Sequence, residues 1–423
     1  MNYISLIISK LTLVIGFIFL HNIIQAQFSS SPYSIYGLGD RLYPYSTSAS
    51  GMGYAAIALD SRSFINVINP ASYATRDSLN FIFDITINNR YNHFKTETAS
   101  GSDLQTHTNQ ILLGFRLNKW WGTTIGLIPF SSCGYAIESE KNEPNIGNVS
   151  YYFKGDGGLN QFFIGNGFAL HKNISIGINA SFVYGYLDHF NSAILPSSNY
   201  FYSSLRNRLV VNDFYFNYGL NYHKKINENT RFTIGLIFDN EQKLQAKDSY
   251  LATKSIFLNS TIIDTITYSE NQGKLISMPM RYGFGFSLER KKWLWAGDYS
   301  FTEWSKMMIN DDNAKLVDES QFHLGARIKP DHNAYGHYFK RVAYRMGVYF
   351  NYTNLQINNN QLKQYGVTLG MGLPLRKTKT TINFSLDIGK RGTIDNNLIE
   401  EFYGLLRINL NLHDIWFVKS KFE

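Results

Sequence analysis

The feature that most constrains this chain is an alternation of apolar and polar residues that recurs from Leu79 to the C-terminal region. Leu79, Phe81, Phe83, Ile85 and Ile87 alternate with Asn80, Asp84, Thr86 and Asn88. Ile174, Ile176, Ile178, Ala180 and Phe182 alternate with Asn173, Ser175, Gly177, Asn179 and Ser181. Ile382, Phe384, Leu386 and Ile388 do the same with Thr381, Asn383, Ser385 and Asp387. A period of two at this length marks strands with one apolar and one polar face. About fourteen such segments are readable. They lie near 79–90, 107–118, 122–136, 159–171, 173–187, 209–223, 230–243, 275–289, 292–304, 319–329, 340–354, 361–373, 379–390 and 401–412.

The connections have a rhythm of their own. After odd-numbered segments they are long, as at 188–208 and 244–274; after even-numbered ones they are mostly short, as at Asn118–Gly122, His171–Asn173 and Glu289–Lys292. The longest exception follows the tenth segment, at 330–339. An even strand count, long outer loops and short periplasmic turns are the pattern of outer-membrane barrels. The expected fold is therefore all-β: a transmembrane antiparallel β-barrel of about fourteen strands. A soluble β-sandwich has no reason to keep the rhythm, and its open edges are forbidden in lipid.

Composition agrees. Charged residues are 17% of the 423, against about 25% in soluble proteins, while aromatics reach 16%. A mean hydropathy of −0.21 is too polar for a helical membrane protein. The net charge of +8 does not indicate nucleic acid, because the basic residues gather at short turns: Lys224 and Lys225; Arg290, Lys291 and Lys292; Arg376, Lys377 and Lys379. They read as a solvated rim, or more sharply as a docking surface for an acidic periplasmic partner.

The N-terminus reads as a signal peptide over 1–26: Lys10, an apolar run Leu11–Leu20, a stop at His21 and Asn22, and Ala26 before Gln27. Ten apolar residues are too few for a spanning helix. The expected destination is the cell outer membrane, with membrane lipid as the first partner. Cys133 is the only cysteine, so no internal disulfide forms. Residues 27–78 do not alternate and are rich in Ser, Tyr and Gly. They are expected to fold into the lumen as a plug, or else to form a periplasmic strap, ahead of a barrel over 79–423.

The stretch Ser50 to Ala71 resembles the N-terminal hatch of the FadL family of long-chain fatty-acid and hydrocarbon transporters. The matching residues are Gly51-Met52-Gly53, the small residues Ala55, Ala56 and Ala58, the polar Asn66, and Asn69-Pro70-Ala71. A second likeness lies at 278–305, with Pro279, Arg281 and Gly283, then Trp293, Asp298, Tyr299 and Trp304. The resemblance implies a plugged barrel and uptake of small hydrophobic compounds. It points to Gly51, Gly53, Asn66, Asn69, Pro70 and Ala71 as hatch residues, and to a lateral opening at a kink in the third strand. There Pro129 lacks an amide hydrogen and Gly134 permits a bulge. The same superfamily includes barrels resembling the PorV shuttle of type IX secretion, and FSSSPYSIYGLGD and IWFVKSKFE look like the ends of Bacteroidetes barrels. A non-transporting subunit of an outer-membrane secretion or assembly complex is thus the alternative.

Charge on the inward parity separates the two. Arg116, Arg231, Arg281, Arg327, Arg345 and Arg407 fall there with Asp84, Asp239, Asp298 and Asp387, whereas apolar ligands take pockets with few polar groups. A continuous apolar pocket supports transport; a lumen filled with polar contacts supports the subunit role. Arg281 and Arg345 are expected to donate to carbonyls of the plug, and Asn66 and Asn69 to bond lumen side chains. No nucleophile motif, P-loop or HExxH is present, so neither an enzyme nor a cofactor is expected. Asp331, His332 and His337 read as a solvated turn, and Asn310-Asp311-Asp312-Asn313 lacks the rest of an EF-hand calcium loop.

Overall fold

A computed structural model describes residues 31–415 except 61, 77–79, 197–201, 256–261, 308–313, 332–336 and 377. The signal peptide, the Asn310–Asn313 cluster and His332 lie outside the described residues. The rest forms a closed antiparallel barrel of fourteen walls. They are β1 (Asn80–Lys95), β2 (Ser100–Asn118), β3 (Trp121–Ser132, resuming as Tyr135–Glu143), β4 (Gly147–His171), β5 (Ile174–Ile194), β6 (Tyr202–Asn227) and β7 (Thr230–Asp239, then Gln242–Ser255). There follow β8 (Ile262–Met278, then Arg281–Arg290), β9 (Trp293–Thr302), β10 (Ala314–Leu316, then Glu319–Ile328), β11 (Ala343–Ile357), β12 (Asn360–Pro374), β13 (Thr381–Arg391) and β14 (Glu400–Ile415). The last strand closes on the first, from Glu400 against Lys95 to Ile415 against Asn80, so the barrel leaves no sheet edge at the seam.

The alternation read from sequence sets the two faces. Phe238, Phe284, Val348, Leu369 and Ile408 are exposed on the outer wall, while Asp239, Thr368, Asn409 and Asp387 are buried within. Among the described residues no helix is long and apolar enough to cross a membrane. One expectation needs correction: 188–208 and 244–274 are not simple loops. β5 and β6 pair as far as Ala193 and Ser203, and β7 and β8 as far as Ser255 and Ile262. Beyond Lys247 polar residues occupy both faces of these hairpins, so their sequence has no sustained apolar face to reveal them.

Residues 31–76 run inside the barrel. Tyr33 and Leu38 pack on an apolar cluster near the outer end, which includes Phe130, Leu159, Leu187, Leu244, Trp304 and Leu355. Asp40 and Arg41 pair with Ser132 and Ser131 of β3. The chain then crosses to β12–β14 and winds back past every strand toward β2, where Arg76 is wholly buried. Two of its three short helical turns are capped by side chains: Ser46 accepts from the Ala49 amide, and Asn69 from Ala71 with Pro70 at the first position. Both are good caps for short turns.

Candidate functional site in the lumen

The winding path of residues 50–76 follows a track of inward glycines. A side chain placed at Gly370 on β12 would meet the Gly51 Cα at 2.9 Å; at Gly347 on β11, the Gly53 nitrogen at 2.1 Å; at Gly325 on β10, the Met52 oxygen at 2.1 Å. Gly235 on β7 abuts the Ile57 oxygen at 2.3 Å, Gly177 on β5 the Pro70 carbon at 2.3 Å, and Gly122 on β3 the Tyr73 oxygen at 2.0 Å. Several sit opposite one another in register, as Gly325 and Gly347 do. Only a residue without Cβ lets backbone approach wall this closely. On β9 a carboxylate takes over: Asp298 accepts from the amides of Ala56 and Ile57 at 2.5 and 2.8 Å.

The residues singled out in the sequence fall on this track. Gly53 donates its amide to Thr368 Oγ1 at 2.7 Å. Asn69 Nδ2 donates to Ile57 O at 2.8 Å and to Asn221 Oδ1 on the wall at 2.9 Å. Asn66 does not meet the lumen wall as expected. It donates to Ala56 O at 2.7 Å and Leu59 O at 3.1 Å, tying the segment to itself. It lies four residues before the turn that begins at Pro70, and its acceptors are local.

The arginines differ more from expectation. Arg281 faces the Tyr43 ring at 4.4 Å and Asp239 at 3.9 Å rather than plug carbonyls. Arg345 has no protein partner for Nε or Nη1. From the hatch, Arg76 bonds Thr123 O at 2.8 Å and Arg41 bonds Phe130 O; from the wall, it is Arg116 that donates to a hatch carbonyl, that of Arg76. Arg116, Arg231 and Arg327 lie at the end of the short turns, not in mid-lumen. Arg116 donates to Asn118 O at 2.9 Å, Arg231 approaches Asp60 at 3.4 Å, and Arg327 pairs with Glu289 at 2.9 Å. Inward parity places a side chain on the inner face but says nothing of its height, and these three sit on terminal residues of their strands.

On the outer side of the segment a polar cavity of about 180 Å³ remains, lined by Arg90, His107, Glu319, His323, Asp387 and Arg407 among others. Its floor is a hydrogen-bonded cluster. Tyr54 donates to Asp387, Tyr349 donates to the same carboxylate at 2.9 Å, and the hydroxyls of Tyr349 and Tyr403 meet at 2.6 Å. Arg407 donates to Ser50 Oγ. The apolar pockets among the described residues lie on the outer wall, lined by residues such as Phe284, Phe322, Met346 and Leu369.

Pro129 and Gly134 mark a break in the wall. The ladder between β2 and β3 runs from Asn118–Trp121 to Ile111–Leu127 and stops there. Past that point β3 keeps only β4, with a register shift between Pro129 and Ser131, and it is interrupted before Tyr135. The abandoned edge is taken up from inside. Besides the Asp40 and Arg41 pairs, Leu42 donates its amide to Phe130 O at 3.1 Å, and Gly134 donates to Ser34 Oγ at 3.1 Å. Among the described residues no group of His, Cys, Asp and Glu could hold a metal ion.

A family model described as BamG matches residues 7–423. No curated protein sequence matches. Among solved structures, the Pseudomonas putida toluene transporter TodX is similar at a TM-score of 0.57 and 15% identity, over 89% of this chain and 99% of that one. The Ralstonia pickettii toluene transporter TbuX gives 0.54 and 13%, over 87% and 97%. A Pseudomonas aeruginosa FadL homologue gives 0.55 and 12%, over 90% and 100%. The fold is that of FadL-type barrels.

Proposed function

The chain belongs to the BamG family, and from that premise we propose that it works as a plugged, non-transporting barrel, a subunit of an outer-membrane assembly or secretion complex. Residues 31–76 are its hatch. One observation carries the reading: the hatch backbone lies against wall glycines on most of the strands it passes, and the cavity left beside it is small and polar. A toluene-sized apolar ligand gains nothing from such a lining, because entering it desolvates charged and hydrogen-bonded groups without replacing their partners. The test is to solubilise the native membrane in mild detergent and purify the tagged chain. Stoichiometric co-purification of other outer-membrane proteins, with no toluene influx into liposomes bearing the purified barrel, is expected. A monomer that admits toluene overturns the proposal.

The second reading, uptake of small hydrophobic compounds, has its own observation. The β2–β3 ladder ends beside Pro129, and barrels of this fold carry toluene in TodX and TbuX. On this reading Pro129 and Gly134 form a lateral opening, held shut by residues 39–42. Pro129→Val restores an amide donor. It should slow influx if the opening is used, and it leaves complex assembly unchanged if the barrel is a subunit.

A further inference from the structure

Beneath the hatch, on the side of the short turns, the lumen widens into a second recess of about 910 Å³. Seven arginines and lysines line it against three carboxylates, Asp60, Glu289 and Asp414. Asp60 is engaged by Arg231 at 3.4 Å and Glu289 by Arg327 at 2.9 Å. Arg345 projects toward Gly372, with Nε and Nη1 shielded from solvent and without a protein acceptor; Arg327 Nε and Arg341 Nε are likewise unpartnered. Lys329, just past the end of β10, has its ammonium pushed below its ordinary pKa by burial and by the charges of Arg327 and Arg345. Buried donors without acceptors and clustered like charges both cost free energy that a bound anion recovers. A cleft of one sign with low-dielectric walls also concentrates the opposite charge.

We propose that this recess binds an acidic peptide segment, rich in aspartate or glutamate, presented by a periplasmic protein. The cations come from the hatch (Arg62), β7, β10, β11 and the turns beyond β10 and β12, a spread that suits an extended polyanion better than one small ion. The recess is ringed by strands and roofed by the hatch, and its lining offers few apolar side chains. A lipid headgroup would therefore have to leave the bilayer with no seat for its acyl chains. The inference goes beyond the subunit reading, since the recess is charged whether or not the chain assembles with others.

The test uses the full-length barrel folded in detergent and a fluorescent hexaglutamate peptide, with hexaglutamine as control and pyrophosphate as competitor, read by anisotropy. Hexaglutamate is expected to bind and hexaglutamine not. Lys329→Gln with Arg345→Gln should weaken binding about tenfold, while Lys224→Gln with Lys225→Gln, near the end of β6 and outside the recess, should change it less than about twofold, because close charge pairs dominate over rim charges. Heat-modifiable migration on gels verifies folding, and Lys329→Gln alone, at a turn, serves if the double variant does not fold. Equal loss in both double variants would show diffuse attraction to the rim and overturn the site. So would absent hexaglutamate binding, or binding of pyrophosphate alone.

Discussion

Gly347→Ala offers the most direct test of the seal between hatch and wall. The new methyl would lie 2.1 Å from the Gly53 nitrogen and 2.3 Å from the Met52 carbon. Hatch backbone would have to recede by about 1.3 Å to reach ordinary contact at 3.4 Å. It is not free to do so. The Gly53 amide is bonded to Thr368 at 2.7 Å, and Tyr54 is bonded to Asp387 one residue later. Overpacking a rigid site costs about 1–3 kcal/mol, and losing one backbone hydrogen bond adds about 0.5–1.5 kcal/mol. A combined cost of about 2–4 kcal/mol should raise the open population of the hatch roughly 30- to 1,000-fold, at about 1.4 kcal/mol per factor of ten. Hydrogen exchange read by mass spectrometry on a peptide covering 50–60 reports that population. Gly404→Ala is the control, since nothing lies within 4 Å of its added atom. If exchange of 50–60 in Gly347→Ala matches that in Gly404→Ala, the hatch is not held by the glycine track and the sealing argument fails.

Three further outcomes are expected. Asp298→Ala removes the acceptor of two buried amides, Ala56 and Ile57, and should lower stability by about 2–6 kcal/mol at about 1–3 kcal/mol per orphaned group, measured as a shifted urea midpoint; a shift under about 1 kcal/mol would argue that water replaces the carboxylate. Phe384→Arg places a charge on the lipid face and should cost about 2–4 kcal/mol in refolding into vesicles, whereas an unchanged midpoint would put Phe384 outside the bilayer. Arg391 bonds Asp40 at 2.8 Å and stacks on Tyr33 at 5.2 Å, so Arg391→Ala should loosen the start of the hatch and let maleimide reach Cys133, now 1% exposed. The labelling rate of the folded barrel, expected to rise about tenfold for a loss near 1.4 kcal/mol, reads this directly.

What the sequence disclosed follows from where each residue meets lipid. The strands announce themselves because a bilayer outside and a polar lumen inside force alternation on residues such as Leu386 and Asp387, exposed and buried by turns. The outer halves of β7 and β8 carry polar residues on both faces, and 244–274 reads as loop in the sequence. Residues 27–78 break the alternation in the sequence, and Asn69 within them bonds Asn221 on the wall. The glycine track has no such sequence signal. In a strand such as that of Ser175, Gly177 and Asn179, a glycine passes for one more small polar-face residue, and its height on the wall is set by a register known only once the strands pair. Arg76 and Arg41 escaped notice for a related reason: they lie on the hatch itself, where no periodicity says which way a side chain points.

The glycine track also changes where information about the plug resides. From Gly370 on β12 to Gly122 on β3, the wall holds the hatch by atoms it omits, and it grips main chain, which every amino acid shares. The hatch is therefore free to vary its side chains while its route stays fixed, and the route is written in the barrel. In a related chain whose N-terminal segment has drifted past alignment, a single file of inward glycines, stepping from strand to strand in register, would still trace the path the missing match takes.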